Sequence, residues 1–363
     1  MLHAFWDGLK RLSLGIGLLL AAGSILLFMD LQSRNSGGKK SASSLRRIAI
    51  IQHASIKAID DGRSGLLEQL KKRGFTESDK LTFKLFNAEG DIGTANAIAK
   101  DVVSGSYDLL ITISTPSLQT VANANKSANQ VLHVFGLVTD PYAAGVGIDA
   151  NDHSKHPPYM TGFGSMQPVE SLFRRIQEMR ADVKRIGLVW NPAESNSFAQ
   201  TKLARVLCKS MNLELIEGSV ENSAAVQEAI NSVISRGVDA IWVSGDITVS
   251  SATSVIIRAA TNAGIPVFSS LPPSVLQGST LDLGADYVTV GRTLGDMAAD
   301  ILEGKSPESI PVENQTAEIL LFNETVLPKL KDRWTLTPAI RQSANGWITA
   351  SENKIPSHLV PSN

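Results

Sequence analysis

The sequence predicts an α/β protein made of two doubly wound parallel-sheet lobes, and three observations predict it. Short apolar runs alternate with helical patterns from residue 46 to about residue 270, the order of elements that gives a parallel sheet with helices on both faces. The pattern occurs twice: "RRIAII" (46–51) matches "KRIGLV" (184–189), "SYDLLITIS" (106–114) matches "GVDAIWVSG" (237–245), and "VLHVFG" (131–136) matches "IPVFSS" (265–270). The 363-residue chain, 43% hydrophobic and 19% charged, is long enough for two domains with real cores. A formal net charge of -1 implies neither a nucleic-acid partner nor an acidic surface.

Ahead of the repeats, residues 1–30 read as a membrane anchor, with a cleaved export signal as the alternative. The chain is apolar or small throughout residues 12–29, between Lys10-Arg11 and Asp30, which is the length of a span. A signal's apolar region is usually about 7 to 15 residues long and ends at a small-x-small cleavage site. Here the run ends Leu26-Leu27-Phe28-Met29, with Ala21-Ala22-Gly23-Ser24 inside it, and no cysteine follows for lipid attachment. On either reading the bulk of the chain is extracytoplasmic. Residues 31–45, "LQSRNSGGKKSASSL", are a Gly/Ser-rich tether. The single cysteine, Cys208, sits in a helical apolar pattern and reads as a buried small hydrophobe, so no intrachain disulfide is possible.

In the first half a buried strand at 46–51 leads to a helix carrying Leu66, Leu67 and Leu70, which stops at Lys72-Arg73-Gly74. A strand at 81–86, a helix at 94–103 and the strands within 106–114 and 131–136 complete it. The second half follows suit: a strand at 184–189, a helix carrying Leu203, Val206, Leu207 and Met211, a strand at 213–216, a helix at 224–234, then the strands at 237–245 and 265–270.

Ligands of open α/β sheets bind beyond the carboxyl ends of the strands, where helix N-termini offer free N–H groups. The corresponding loops supply His53, Ser114, Thr115, Thr139 and Asp140 from the first half. The second half supplies Asn191, Glu194, Ser195, Asn196, Ser197, Asp246, Thr248, Ser269 and Ser270. In "WNPAESNSFA" (190–199) a helix cap needs one polar residue, and the surplus points to a ligand. Each candidate has a plainer reading beside the ligand-facing one. Asp140 before a proline starts a turn, Asp246 caps a helix, His53 bonds a neighbouring backbone group, and Trp190 packs under the next helix. The loops hold three acids and no Lys or Arg, which suits a zwitterion better than a net anion. Its carboxylate would meet helix N–H groups near Ser114-Thr115 or Ser195 to Ser197, its ammonium one of the acids, and its side chain apolar space: an α-amino acid with an apolar or aromatic side chain.

An enzyme is not indicated. There is no G-x-S-x-G elbow or helical His-Glu-x-x-His, and the loop acids are single and scattered. Gly162-Phe163-Gly164 lacks the third glycine of a dinucleotide fingerprint, and the spacing of His153 and His156 suits no metal site, so no cofactor is expected. His133, inside "VLHVF", reads as a core histidine.

The stretches "NAEGDIGTANAIA" (87–99), "STPSLQ" (114–119), "VTDPYAAG" (138–145), "NPAESNS" (191–197) and "GRTLGDMAADILEGK" (291–305) resemble the substrate-binding components of ABC transporters, in the group associated with tryptophan, tyrosine or phenylalanine uptake. The resemblance covers about residues 46 to 322. It implies a type I periplasmic-binding-protein fold whose lobes, 46–161 with roughly 284–310 and 162–283 with part of 311–330, are joined by hinge strands near Tyr159 to Gly162 and Leu281 to Asp286. It also implies capture of a small ligand between the lobes and delivery to a transporter permease. The rival reading is a membrane-tethered sensor of the same fold that signals through a partner protein. Two loops depart from the family pattern: Ser269-Ser270-Leu271 lacks the acid expected after the serine, and Ser244-Gly245-Asp246-Ile247-Thr248 replaces a Thr-Asp-Asn-Thr run. The tail at 334–363 shows weak periodicity and no assignable role.

Overall fold

The computed structural model describes residues 45–77 and 80–360. The segment expected to anchor the chain, residues 12–29, lies outside them; among the described residues no helix is long and apolar enough to cross a membrane.

The first lobe opens with strand β1 (Arg46–Gln52), helix α1 (Lys57–Lys72), β2 (Leu81–Asn87), α2 (Ile92–Ser104), β3 (Leu109–Ile113), α3 (Thr115–Lys126), β4 (His133–Val138) and β5 (Met160–Gly164). All five residues of β3, LLITI, are buried, as expected for a central parallel strand covered on both faces. After β5 the chain crosses into the second lobe: α4 (Val169–Met179), β6 (Arg185–Trp190), α5 (Ser195–Ser210), β7 (Glu214–Ser219), α6 (Val226–Ser235), β8 (Ala240–Val243), the single turn α7 (Ile247–Ser250), α8 (Thr253–Asn262), β9 (Val267–Ser269) and β10 (Leu281–Ala285). It returns through α9 (Tyr287–Leu302) and β11 (Glu313–Asn314). A third crossing leads to β12 (Glu318–Asn323), α10 (Pro338–Ser343), β13 (Gly346–Ile348) and β14 (Asn353–Lys354).

The strand order is β11-β5-β4-β3-β1-β2 in one sheet and β14-β13-β12-β10-β9-β8-β6-β7 in the other. Every pairing in the first sheet is parallel. The second departs from the parallel pattern expected, because β12 and β14 run antiparallel to β10 and β13. The tail that showed no pattern in the sequence extends this sheet. Trp334, Leu336 and Ile340 sit in its core, with the Trp334 ring 5.5 Å from that of Phe268.

Helix α9 packs on α1 in the first lobe, and the glycines of "GRTLGDMAADILEGK" explain how closely. A Cβ on Gly291 would lie 2.0 Å from the Gly62 carbonyl oxygen. This part of the motif therefore joins two helices and does not face a ligand. Cys208 is buried, and burial pushes its thiol up to about 12. His133 is a core residue, its Nε2 2.8 Å from the Thr112 hydroxyl, and burial lowers it to about 3.

Candidate functional site

The strand-end loops of both lobes converge on a small cavity of about 40 Å³. Ser114 and Thr115 come from the β3 loop, Leu137 and Thr139 from the end of β4, and Ile56, Ala58 and Ile59 from the start of α1. Asn196, Gly245, Ile247, Ser250 and Leu271 face them from the second lobe. The crossing segments form the remainder through Ser165, Gln167 and Tyr287. Gln167 ties two crossings together: its Nε2 donates to the Tyr287 hydroxyl at 2.5 Å, and its Oε1 accepts from the Ala285 amide at 3.1 Å.

Two lining residues, Ser114 (φ 106°) and Leu137 (φ 55°), have a positive φ. Non-glycine residues adopt that conformation rarely, and it costs about 1 to 3 kcal/mol. At Ser114 it turns β3 sharply into α3. No Ser114 side-chain bond caps that helix, and its hydroxyl donates to Ser117 instead. Helix α5 arrives from the other lobe, and its N-cap residue, Glu194, makes no side-chain cap bond either. Two uncapped helix N-termini thus approach one cavity from opposite lobes, which makes the region favourable for a carboxylate.

Of the residues singled out in the sequence, Ser114, Thr115, Thr139 and Asn196 line the cavity. Asn196 is buried and donates from Nδ2 to the Gly245 carbonyl at 2.9 Å and to Glu194 at 3.1 Å. Its Oδ1 is buried without a partner among the described residues. A buried acceptor left open at a cavity wall is costly unless something donates to it.

The three acids play another part than the expected one of facing a ligand ammonium. Glu194 accepts from the amides of Ile247 (2.9 Å) and Thr248 (2.8 Å) and from the Thr248 hydroxyl. Asp246 is fully buried and accepts from the Asn191 amide (2.6 Å), the Ser197 hydroxyl (2.6 Å) and the Val249 amide (2.7 Å). Burial, reinforced by the negative charge of Glu194, pushes Asp246 up to about 6 against the pull of its hydrogen bonds. Asp140 forms a turn, accepting from the amides of Tyr142 and Ala143, both at 3.0 Å. The cavity lining therefore holds no charged side chain among the described residues. Most of the surplus polarity of "NPAESNS" goes to the neighbouring loop, because two strand-end loops lie side by side: Glu194 caps the first amides of α7, and Asp246 accepts from the Asn191 amide and the Ser197 hydroxyl.

The remaining candidates are also turned inward. Asn191 donates to the Thr248 hydroxyl at 3.0 Å. The Ser269 hydroxyl lies 3.1 Å from that of Ser274, and Ser270 accepts from the Trp242 indole at 3.0 Å. Ser195 reaches across the cleft to Gln119, donating at 2.8 Å. His53 is buried outside the lining, its Nδ1 without a partner among the described residues, and burial lowers its pKa. Trp190 packs in the second-lobe core with the Arg205 guanidinium 5.3 Å above it. Sequence reasoning missed Gln167 and Tyr287, which flank hinge strands rather than end a repeat strand. It also missed the apolar wall of Ile56, Ala58, Ile59 and Ile247, which has no chemical signature in the sequence.

Residues 47–336 match the family model described as ABC transporter substrate binding protein. The chain is 28% identical over 296 residues to a tyrosine-binding protein of Clostridioides difficile (strain R20291), covering 82% of this chain and 84% of that one. Among solved structures, a conserved domain protein from Vibrio cholerae superposes with a TM-score of 0.78 at 32% identity, covering 84% of this chain and 100% of that one. An ABC domain from Streptococcus pneumonia in complex with L-Trp shares the fold with a TM-score of 0.77 at 22% identity, covering the same shares of the two chains.

Proposed function

Because this chain belongs to the ABC transporter substrate-binding protein family, we propose that its ligand is an α-amino acid with an apolar or aromatic side chain, captured between the lobes. The observation that carries this reading is the lining of the cavity. Two uncapped helix N-termini offer amides to a carboxylate, the open Asn196 Oδ1 accepts from an ammonium, and Ile56, Ala58, Ile59, Leu137 and Ile247 receive apolar groups. Among the described residues no Lys or Arg faces the space, so a net anion would lack a counter-charge. The tyrosine-binding relative supports the same class. The liganded protein passes its cargo to a transporter permease on the outer side of the membrane, held there by residues 12–29. No observation favours the sensor reading.

The test is a thermal-shift screen of the full-length chain against the twenty amino acids, short sugars, nucleosides and dicarboxylates. A ligand at 100 times its dissociation constant adds about 2.7 kcal/mol to the folded state, a melting shift of several degrees. A shift with a sugar or nucleoside and none with an amino acid refutes the reading.

A further inference from the structure

Residues 337–360 follow the stretch that matches the family model, 47–336, and they do more than extend the second sheet. They include a 3₁₀ turn, Ser357–Leu359. Leu359 is 1% exposed and packs with Val275, Ile319, Leu321, Ile348 and Ile355, all of the second lobe. Its neighbour has a different partner: His358 Nε2 lies 3.0 Å from Asp286 Oδ2. A carboxylate only accepts, so this nitrogen carries the hydrogen.

Asp286 stands at a crossing between the lobes. Strand β10 of the second lobe ends at Ala285, and α9 of the first begins at Tyr287. The Asp286 carboxylate goes with the first lobe as the N-cap of α9, where Oδ1 accepts from the Thr289 amide at 3.2 Å and Oδ2 from the Thr289 hydroxyl at 2.9 Å. The first turn of α9 is in turn fixed on α1, since a Cβ on Gly65 would lie 2.1 Å from the Val288 carbonyl oxygen. The Asp286 amide donates to the Ala317 carbonyl at 2.7 Å, which brings another crossing to the same point. The His358–Asp286 bond therefore has one partner on each lobe. A rotation of the lobes turns α9 against the sheet that carries the tail, and lengthening the bond from 3.0 Å to about 3.6 Å is enough to lose it.

We propose that the tail is a strap between the lobes: Leu359 fastens it to the second, the His358–Asp286 bond ties it to the first, and that bond holds the lobes in the arrangement that encloses the cavity. His358 does not line the cavity and is a positioning residue for capture. This rests on capture between the lobes and on no particular ligand.

Pulsed electron–electron resonance on the ligand-free full-length chain tests it, with spin labels at Ile92→Cys in the first lobe and Phe198→Cys in the second. Both sites are exposed, and Cys208 is buried and takes no label. A hydrogen bond to a charged group is worth about a tenfold change in an equilibrium or more. His358→Leu and His358→Ala should each raise the ratio of long to short inter-label distances about tenfold. His358→Gln, whose amide donates to the same carboxylate, should stay close to wild type. Two truncating variants and one that keeps the donor separate the bond from a general folding defect, which ligand-free melting curves identify. Wild-type distances in the Leu and Ala variants, or a Gln variant that opens as they do, overturn the strap. The measurement uses no ligand, so the amino-acid reading stands or falls separately, by the thermal-shift screen.

Discussion

Asp246 shows how a side chain with the right chemistry for a ligand is claimed by its own backbone. It stands at the end of β8 with three donors around it, and a carboxylate with no remaining exposed surface has no face to offer an ammonium. Its elevated pKa has a definite linkage. The folded state holds the proton up to about pH 6, the unfolded state only to its ordinary value of 3.8. The contribution of Asp246 to stability is therefore full below the lower value and is lost as pH rises toward the upper one. In melting curves, the advantage of wild type over Asp246→Asn should shrink between about pH 4 and 6 and stay level above that. A growing advantage over that interval would contradict the burial-driven shift. At neutral pH Asp246→Asn should still cost about 1 to 3 kcal/mol, since one amide hydrogen would face a buried donor.

At the scale of elements, the loop before α5 and the turn α7 behave as one unit. Glu194 crosses from one to satisfy the first amides of the other, charge-assisted bonds that are the stronger kind. Glu194→Ala should lower stability by about 1 to 3 kcal/mol, whereas Ser195→Ala, whose hydroxyl has no capping duty, should leave the ligand-free melting temperature unchanged. Equal effects in thermal melts would remove the distinction. The C-terminal elements form a second unit. A chain ending at residue 333 loses Trp334, Leu336 and Ile340 from the second-lobe core and bares the edge of β12. Three large apolar side chains at about 1.5 to 3 kcal/mol each approach the whole stability of a domain. The truncated protein should be insoluble or melt far lower, and a normal melting temperature would show that the tail is dispensable.

For the molecule as a whole, the lobes are joined at three crossings and meet across the cleft through Ser195 with Gln119 and Gln200 with Thr139, the latter at 3.5 Å. Both bonds join residues of the two lobes, so they stabilise the arrangement in which the cavity is enclosed. Removing the stronger bond with Ser195→Ala should weaken ligand binding by about 0.5 to 1.5 kcal/mol, a few-fold to tenfold in Kd, with the ligand-free protein equally stable. Unchanged affinity in this variant would show that ligand binding owes nothing to the bond across the cleft.

The duplicated strand and helix pattern determined the α/β class, the parallel pairing of the first sheet and the places where loops gather, because period and apolar run length are properties of the local chain. By the same logic Ser114, Thr115, Thr139 and Asn196 were legible as cavity residues, since the first three follow repeat strands directly and Asn196 lies at the start of the helix after one. Tertiary structure alone decided the rest. Whether a carboxylate faces a ligand or a neighbouring amide depends on which loop lies beside it, and Glu194 and Asp246 are 52 positions apart in the chain yet share one hydrogen-bonded cluster. The tail's role was hidden for the same reason: β13 is a three-residue strand, too short to show a period, and it exists because β12 offers it an edge. The apolar wall of the cavity, Ile56, Ala58, Ile59 and Ile247, consists of ordinary hydrophobic residues in the sequence, and only the approach of two lobes turns them into a volume that a ligand can fill.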